Sequence, residues 1–194
     1  EVVGEDHVHR GDALKFDWQT FLMEKKFSQL WLVSNLPYNV SVPLTLSFLR
    51  IPQIKNMTLM YQKEVADKIL PRDLRNTMNS LHVLCRSQFE LKQVVHAPPG
   101  AFVPPPKVDS LVLHFKRREN PDIELQNIDP FESFLRLTFS QKRKQLGGIL
   151  RAEWGGEITA RALDIAKIEP TIRAEALSYE DILRLYSAYS QTLS

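Results

Sequence analysis

Leu30-Trp31-Leu32-Val33-Ser34 runs without a break into Asn35-Leu36-Pro37-Tyr38, and the reading of that junction decides the fold. The first five residues read as a short buried strand. The proline then fixes its own φ and drives Leu36 away from the helical region, so the chain leaves the strand through a stiff, extended corner. Ser41 reads as the N-cap of a following helix, with Pro43 tolerated in its first turn. That helix continues over residues 44–49 and stops at Pro52. In sheets built from such strand-to-helix units, ligands gather beyond the carboxyl ends of the strands, where Asn35 to Tyr38 stand.

Working outward, residues 57–62, 90–96 and 110–115 carry further strand signals, and 63–70 and 79–89 read as helices. The last strand puts Leu111, Leu113 and Phe115 on one face and Val112 and His114 on the other. Strands alternating with helices predict an α/β fold, a largely parallel sheet with helices on both faces. Residues 119–130 are polar and linker-like, and beyond them the strand signals vanish. Helices are predicted at 131–139, at 143–150 (weakened by Gly147 and Gly148), at 158–165 and at 179–189. Ser178 and Asp181 have the spacing of a capping box, with Asp in place of the usual Glu or Gln. The chain thus divides into an α/β part over 1–120 and a small helical domain over 121–194.

Composition bounds the function. With 194 residues, 43% of them hydrophobic, the chain can bury a core of ordinary domain size. No run approaches the roughly 20 apolar residues that a membrane span needs, and residues 1–12 lack the apolar stretch of a signal peptide. The single cysteine, Cys85, excludes an internal disulfide, suits a reducing, cytoplasmic setting, and lies on an apolar helix face as a core residue. His7, His9, His82, His96 and His114 lack the spacing of metal ligands, so no metal is expected. The net charge of +2 neither requires nor excludes a nucleic acid. Basic clusters at Lys116-Arg117-Arg118 and Lys142-Arg143-Lys144, with Arg136 and Arg151 nearby, are either solvated faces or phosphate contacts.

The corner itself suggests a chemistry. The Asn35 side-chain oxygen and the neighbouring carbonyls can converge on one point, beside the flat ring of Tyr38. An adenine amine is a poor nucleophile because its lone pair is delocalised into the ring. Two acceptors holding its two N–H bonds favour a pyramidal nitrogen with a localised lone pair, ready to take a methyl group. Tyr38 would stack on the base, a contact worth roughly 1–3 kcal/mol. Taken alone, however, Asn-x-Pro-Tyr is also an ordinary strand-ending turn.

Three blocks in order remove much of that ambiguity. Asn35-Leu36-Pro37-Tyr38-Asn39-Val40-Ser41, then Gln62-Lys63-Glu64-Val65, then Ala101-Phe102-Val103-Pro104-Pro105-Pro106-Lys107-Val108-Asp109-Ser110 closely resemble the rRNA adenine dimethyltransferase family. Gly11-Asp12-Ala13 resembles the family's preceding Asp-Ala element, and Phe139-Ser140-Gln141-Lys142-Arg143-Lys144 its C-terminal basic helix. The bacterial branch acting on the small subunit's 16S rRNA fits best. The resemblance implies a Rossmann-like class I methyltransferase sheet followed by a small all-helical domain. It implies S-adenosylmethionine as cofactor, the small ribosomal subunit as partner, and a monomeric enzyme.

By the same resemblance, Asn35, Leu36, Pro37 and Tyr38 form the target-base site, with Leu36 or Pro37 lending a carbonyl. Phe102 stacks on the flipped adenine from another side. Asp12 and Ala13, with Asn35, belong to the cofactor site, Asp12 accepting from the cofactor's adenine amine. Lys107, Lys142, Arg143 and Lys144 are the candidate phosphate contacts. Two features depart from the family. None of the seven glycines makes a Gly-x-Gly turn, and no acid matches the one that binds the cofactor ribose. Both belong upstream of Asp12, so the chain reads as N-terminally truncated and, alone, as a poor binder of S-adenosylmethionine. After the basic triplet, Gly147-Gly148 replace the family's Arg-Asn. Competing readings are a non-catalytic ribosome-assembly factor, a large-subunit methyltransferase conferring macrolide resistance, and a DNA adenine methyltransferase.

Overall fold

The computed structural model describes residues 9–192. Its sheet consists of β1 (Leu30–Asn35), β2 (Ile54–Gln62), β3 (Phe89–Ala97) and β4 (Ser110–Arg117), in the order β1-β2-β4-β3. Around it lie α1 (Trp18–Lys25), α2 (Ser41–Leu49), α3 (Lys63–Ile69) and α4 (Ser80–Gln88). β1 and β2 are parallel, while β4 is antiparallel to both β2 and β3. The expectation of a largely parallel sheet is therefore corrected for the described residues. The reason lies in the connections. α2 carries the chain back across the sheet between β1 and β2, as a parallel pair requires, whereas the loop from β3 to β4 makes no helical crossover and returns the strand reversed.

The expectation of helices on both faces is also corrected for the described residues. On one face Met57, Leu59 and Tyr61 of β2 and Leu111, Leu113 and Phe115 of β4 are all buried. On the other, Trp31 and Val33 of β1 are 64% and 70% exposed. Residues alternate across a strand, so a sheet covered on one side alone shows this two-period pattern. α1, which the sequence reading did not foresee, buries Leu22 and sets Trp18 edge-on against Phe48 of α2 at 5.7 Å. Asp17 caps it, its Oδ1 accepting from Thr20 N at 3.0 Å. Cys85 is fully buried, as read, and burial pushes its thiol up to about 12.

Local signals account for most helix ends. Asn79 caps α4 by accepting from His82 N at 3.0 Å. Ser41 is the first residue of α2 rather than its cap, which is Val40. Its hydroxyl donates back to the Tyr38 carbonyl at 3.1 Å.

The C-terminal part holds α5 (Ile128–Thr138), α6 (Leu146–Trp154), α7 (Gly156–Ala166) and α8 (Tyr179–Thr192). The capping box at the start of α8 is present. Asp181 N donates to Ser178 Oγ at 3.0 Å, and Ser178 N to Asp181 Oδ2 at 2.9 Å. Phe131, Phe134 and Leu135 face inward from α5 at helical spacing. Gly147 is required by close approach, since a Cβ there would meet the Pro170 Cβ at 2.7 Å. Gly148 has nothing within 4 Å.

Residues 119–130 are not the free linker their polarity suggested. Asp122 N donates to the Ser87 carbonyl at 3.0 Å, Gln88 Nε2 to the Ile123 carbonyl at 2.6 Å, and Tyr179 Oη to Asp122 Oδ2 at 2.7 Å. These bonds to α4 and α8 pin the segment, and Ile123 and Ile128 anchor it in the core. Arg50, at the end of α2, completes the joint by pairing with Asp129 at 2.6 Å and Glu132 at 2.5 Å. Among the described residues no helix is long and apolar enough to cross a membrane, and no cluster of metal-binding side chains occurs.

Candidate target-base site

The site grows from the end of β1. Leu36 is buried, with 3% of its surface exposed, so its side chain anchors the corner in the core and only its backbone is available to a ligand. Pro37 (φ −58°, ψ 129°) holds the corner extended. Its carbonyl accepts from Val40 N at 3.1 Å in the tight turn that follows. That engagement leaves the Leu36 carbonyl as the one outside the turn. The Asn35 side chain is exposed and has no hydrogen-bond partner among the described residues. Behind the corner, Thr45 Oγ1 of α2 lies 2.7 Å from the buried Tyr61 Oη of β2. Helix and strand are thus pinned together where rigidity matters.

Phe102 arrives from a distant segment. The loop between β3 and β4 leaves the sheet at Ala97, paired with Ser110. It is tied down at its base, where Lys63 N donates to the Asp109 carbonyl at 2.9 Å and His96 Nε2 lies 3.0 Å from Asp109 Oδ2. The Val103–Pro104 peptide is cis. Asn35, Leu36, Pro37, Tyr38 and Phe102, with Pro104 and Pro106, line one open cavity of about 390 Å³. The two aromatic residues named from sequence therefore share one space. The Tyr38 hydroxyl is 3.1 Å from Ser110 Oγ, which orients the ring. Ser110 was not singled out beforehand. It closes the third sequence block, but its partner lies 72 residues away, and no local pattern reports such a pairing.

The other candidates lie elsewhere. Asp12 sits in a turn, Oδ1 accepting from Leu14 N at 2.9 Å. Ala13 lines a separate small cavity of about 150 Å³ with Phe16, Trp18 and Phe21. Lys107 is exposed on the β3–β4 loop. Lys142, Arg143 and Lys144 are exposed and have no ion-pair partner among the described residues. They occupy a turn between α5 and α6, not a helix, which corrects the expected basic helix. α5 ends at Thr138, and α6 starts only at Leu146, whose N donates to the Ile172 carbonyl at 2.8 Å. In the other basic cluster both arginines are structural. Arg117 donates to the carbonyls of Ile54, Ile51 and Leu49 at 2.7, 2.9 and 3.1 Å and lies 4.3 Å over the Phe89 ring. Burial lowers its guanidinium to about 10. Arg118 Nε donates to the Arg86 carbonyl at 2.9 Å.

Comparison with known proteins identifies the family. Residues 6–191 match the family described as ribosomal RNA adenine dimethylase. A ribosomal RNA small subunit methyltransferase A from Syntrophotalea carbinolica is 36% identical over 180 residues, covering 92% of this chain and 67% of the relative. One from Pseudomonas aeruginosa is 31% identical over 179 residues, covering 92% and 65%. The chain spans about two thirds of the length of these relatives. Among solved structures, a dimethyladenosine transferase from Plasmodium falciparum superposes with a TM-score of 0.74 at 24% identity, covering 95% of this chain and 72% of that one, a likeness of fold. The 23S rRNA methyltransferase ErmE gives 0.65 at 26% identity, covering 84% and 66%. The match along nearly the whole sequence, with the cavity at the end of β1, leads to one conclusion: this chain belongs to the ribosomal RNA adenine dimethylase family.

Proposed function

We propose that this chain carries the target-base half of an S-adenosylmethionine-dependent enzyme that dimethylates the exocyclic N6 of two adjacent adenines near the 3′ end of small-subunit rRNA. One observation supports this above the others: the rigid corner at Asn35 to Tyr38 and the ring of Phe102 share a cavity open to solvent. A flipped adenine would lie between the Tyr38 and Phe102 rings, since a base stacked in RNA cannot reach a methyl donor. The Asn35 side-chain oxygen and the Leu36 carbonyl would take its two N–H bonds. No strong base is needed, because accepting the methyl group would leave the nitrogen positively charged, and that cation would lose its proton afterwards. Positioning does most of the work.

The residues fit the cofactor in part. Asn35 has an uncommitted amide for its methionine end, and Asp12 retains one carboxylate oxygen for its adenine amine. Neither comes with the paired-glycine turn that lets backbone approach such a ligand. When bound, S-adenosylmethionine supplies an electrophilic methyl group. The helical part, 121–194, would hold rRNA through phosphate contacts, and the enzyme would act as a monomer on the small subunit in the cytoplasm.

The deciding assay offers the full-length protein immature small subunits, naked small-subunit rRNA, large-subunit rRNA and DNA, with labelled S-adenosylmethionine. Label should enter adenine of the small subunit. Transfer to large-subunit rRNA would instead support a large-subunit methyltransferase, a reading prompted by the weaker likeness to the 23S rRNA methyltransferase ErmE. Tight subunit binding with no transfer to any substrate would mean an assembly factor.

A further inference from the structure

We infer that the groove between the C-terminal half of α5 and the ends of α6 and α8 receives an unpaired nucleobase of RNA, a second base site apart from the one beside Asn35. This rests on the reading that the partner is rRNA. The groove encloses about 620 Å³ and includes Phe134, Arg136, Ser140, Trp154 and Tyr189. Trp154 and Tyr189 stack with centroids 3.9 Å apart and planes at 12°, and Phe134 stacks on Trp154 at 6.1 Å and 17°. Trp154 and Tyr189 are both half-buried, so part of each ring is open to solvent. Flat π-faces lining a groove open to solvent suit stacking by a heterocycle.

Charge and continuity favour RNA as the occupant. Arg136 is 79% exposed and spends one nitrogen on Glu132 at 2.8 Å, which leaves the rest of its guanidinium for a phosphate. Ser140, on the groove wall, directly precedes the turn of Lys142, Arg143 and Lys144. Gln141 and Lys142 also line a cleft of about 460 Å³ with Asn79, the cap of α4, and Ser80, its first residue. A single strand crossing the turn would lay its phosphates on the cations and bring a base within reach of the aromatic groove.

The test measures binding of a single-stranded RNA oligonucleotide, of the same strand carrying abasic sites, and of its duplex to the 194-residue chain. Tyr189→Leu should weaken binding of the base-bearing strand about tenfold, leave the duplex unaffected and leave the salt dependence of binding unchanged. Tyr189→Phe should restore affinity to within about twofold, which separates stacking from folding. A second readout needs no change in the groove. With Trp18→Phe and Trp31→Phe, emission from Trp154 should be quenched by the base-bearing strand and not by the abasic one. Equal affinity for base-bearing and abasic strands, or salt-dependent binding indifferent to Tyr189, would overturn the base site and leave the rRNA reading standing. Absence of any salt-dependent RNA binding would overturn both.

Discussion

The corner at Asn35 to Tyr38 and the turn at Lys142 to Lys144 solve opposite problems. The corner is over-determined. A proline fixes it, the side chain of Leu36 anchors it, Ser41 donates to it, and Ser110 holds the Tyr38 hydroxyl at 3.1 Å. The turn has three cations, all exposed and without ion-pair partners among the described residues. Methyl transfer depends on atoms placed to a fraction of an ångström, whereas attraction between a cation and a phosphate tolerates motion and reads no sequence. Rigidity is concentrated where bonds would change, and looseness where a charged polymer would be held.

Substitutions can break or sharpen that contrast. The largest effect is expected at Asn35. Asn35→Ala should lower kcat for adenine methylation about 10²- to 10³-fold, as when one preorganised polar group is removed from a reacting centre. Binding to the small subunit should change little; sedimentation of the complex beside the methylation assay checks both. Retained methylation would remove Asn35 from the site. Next comes the ring: Tyr38→Ala should cost roughly 1–3 kcal/mol of stacking, seen in kcat/KM. Tyr38→Phe should lose only about 1 kcal/mol, the worth of an ordinary hydrogen bond. If the two variants behave alike, the Ser110 contact and not the ring face is what matters.

On the side of the turn, replacing Lys142, Arg143 or Lys144 by Gln should weaken rRNA binding alike for all sequences. Each true phosphate contact removed should lower the slope of log K against log salt by about 0.7–0.9. A loss confined to one RNA sequence would assign the turn a role in reading bases. The smallest effects separate the two glycines beside it. Gly147→Ala, forced against Pro170, should destabilise the chain by about 1–3 kcal/mol, whereas Gly148→Ala should stabilise α6 by roughly 0.5–1 kcal/mol. Thermal denaturation resolves both signs.

The sequence alone fixed what depends on neighbours along the chain. Pro37 following Leu36 makes the corner stiff wherever it stands. Alternation assigned Leu111, Leu113 and Phe115 to the buried face, and the spacing of Ser178 and Asp181 announced the start of α8. Those are backbone and side-chain preferences acting over a few residues, and at these positions the tertiary structure keeps them. What required the folded chain was everything joining remote segments. The folded chain carried Phe102 to the corner, gave Tyr38 its partner in Ser110, reversed β4 against β2, left Trp31 and Val33 exposed on one sheet face among the described residues, turned Arg117 from a surface charge into an internal brace, and pinned 119–130 onto α4. Such pairings depend on which surfaces meet, and a periodicity of two or 3.6 residues carries no information about its distant partner.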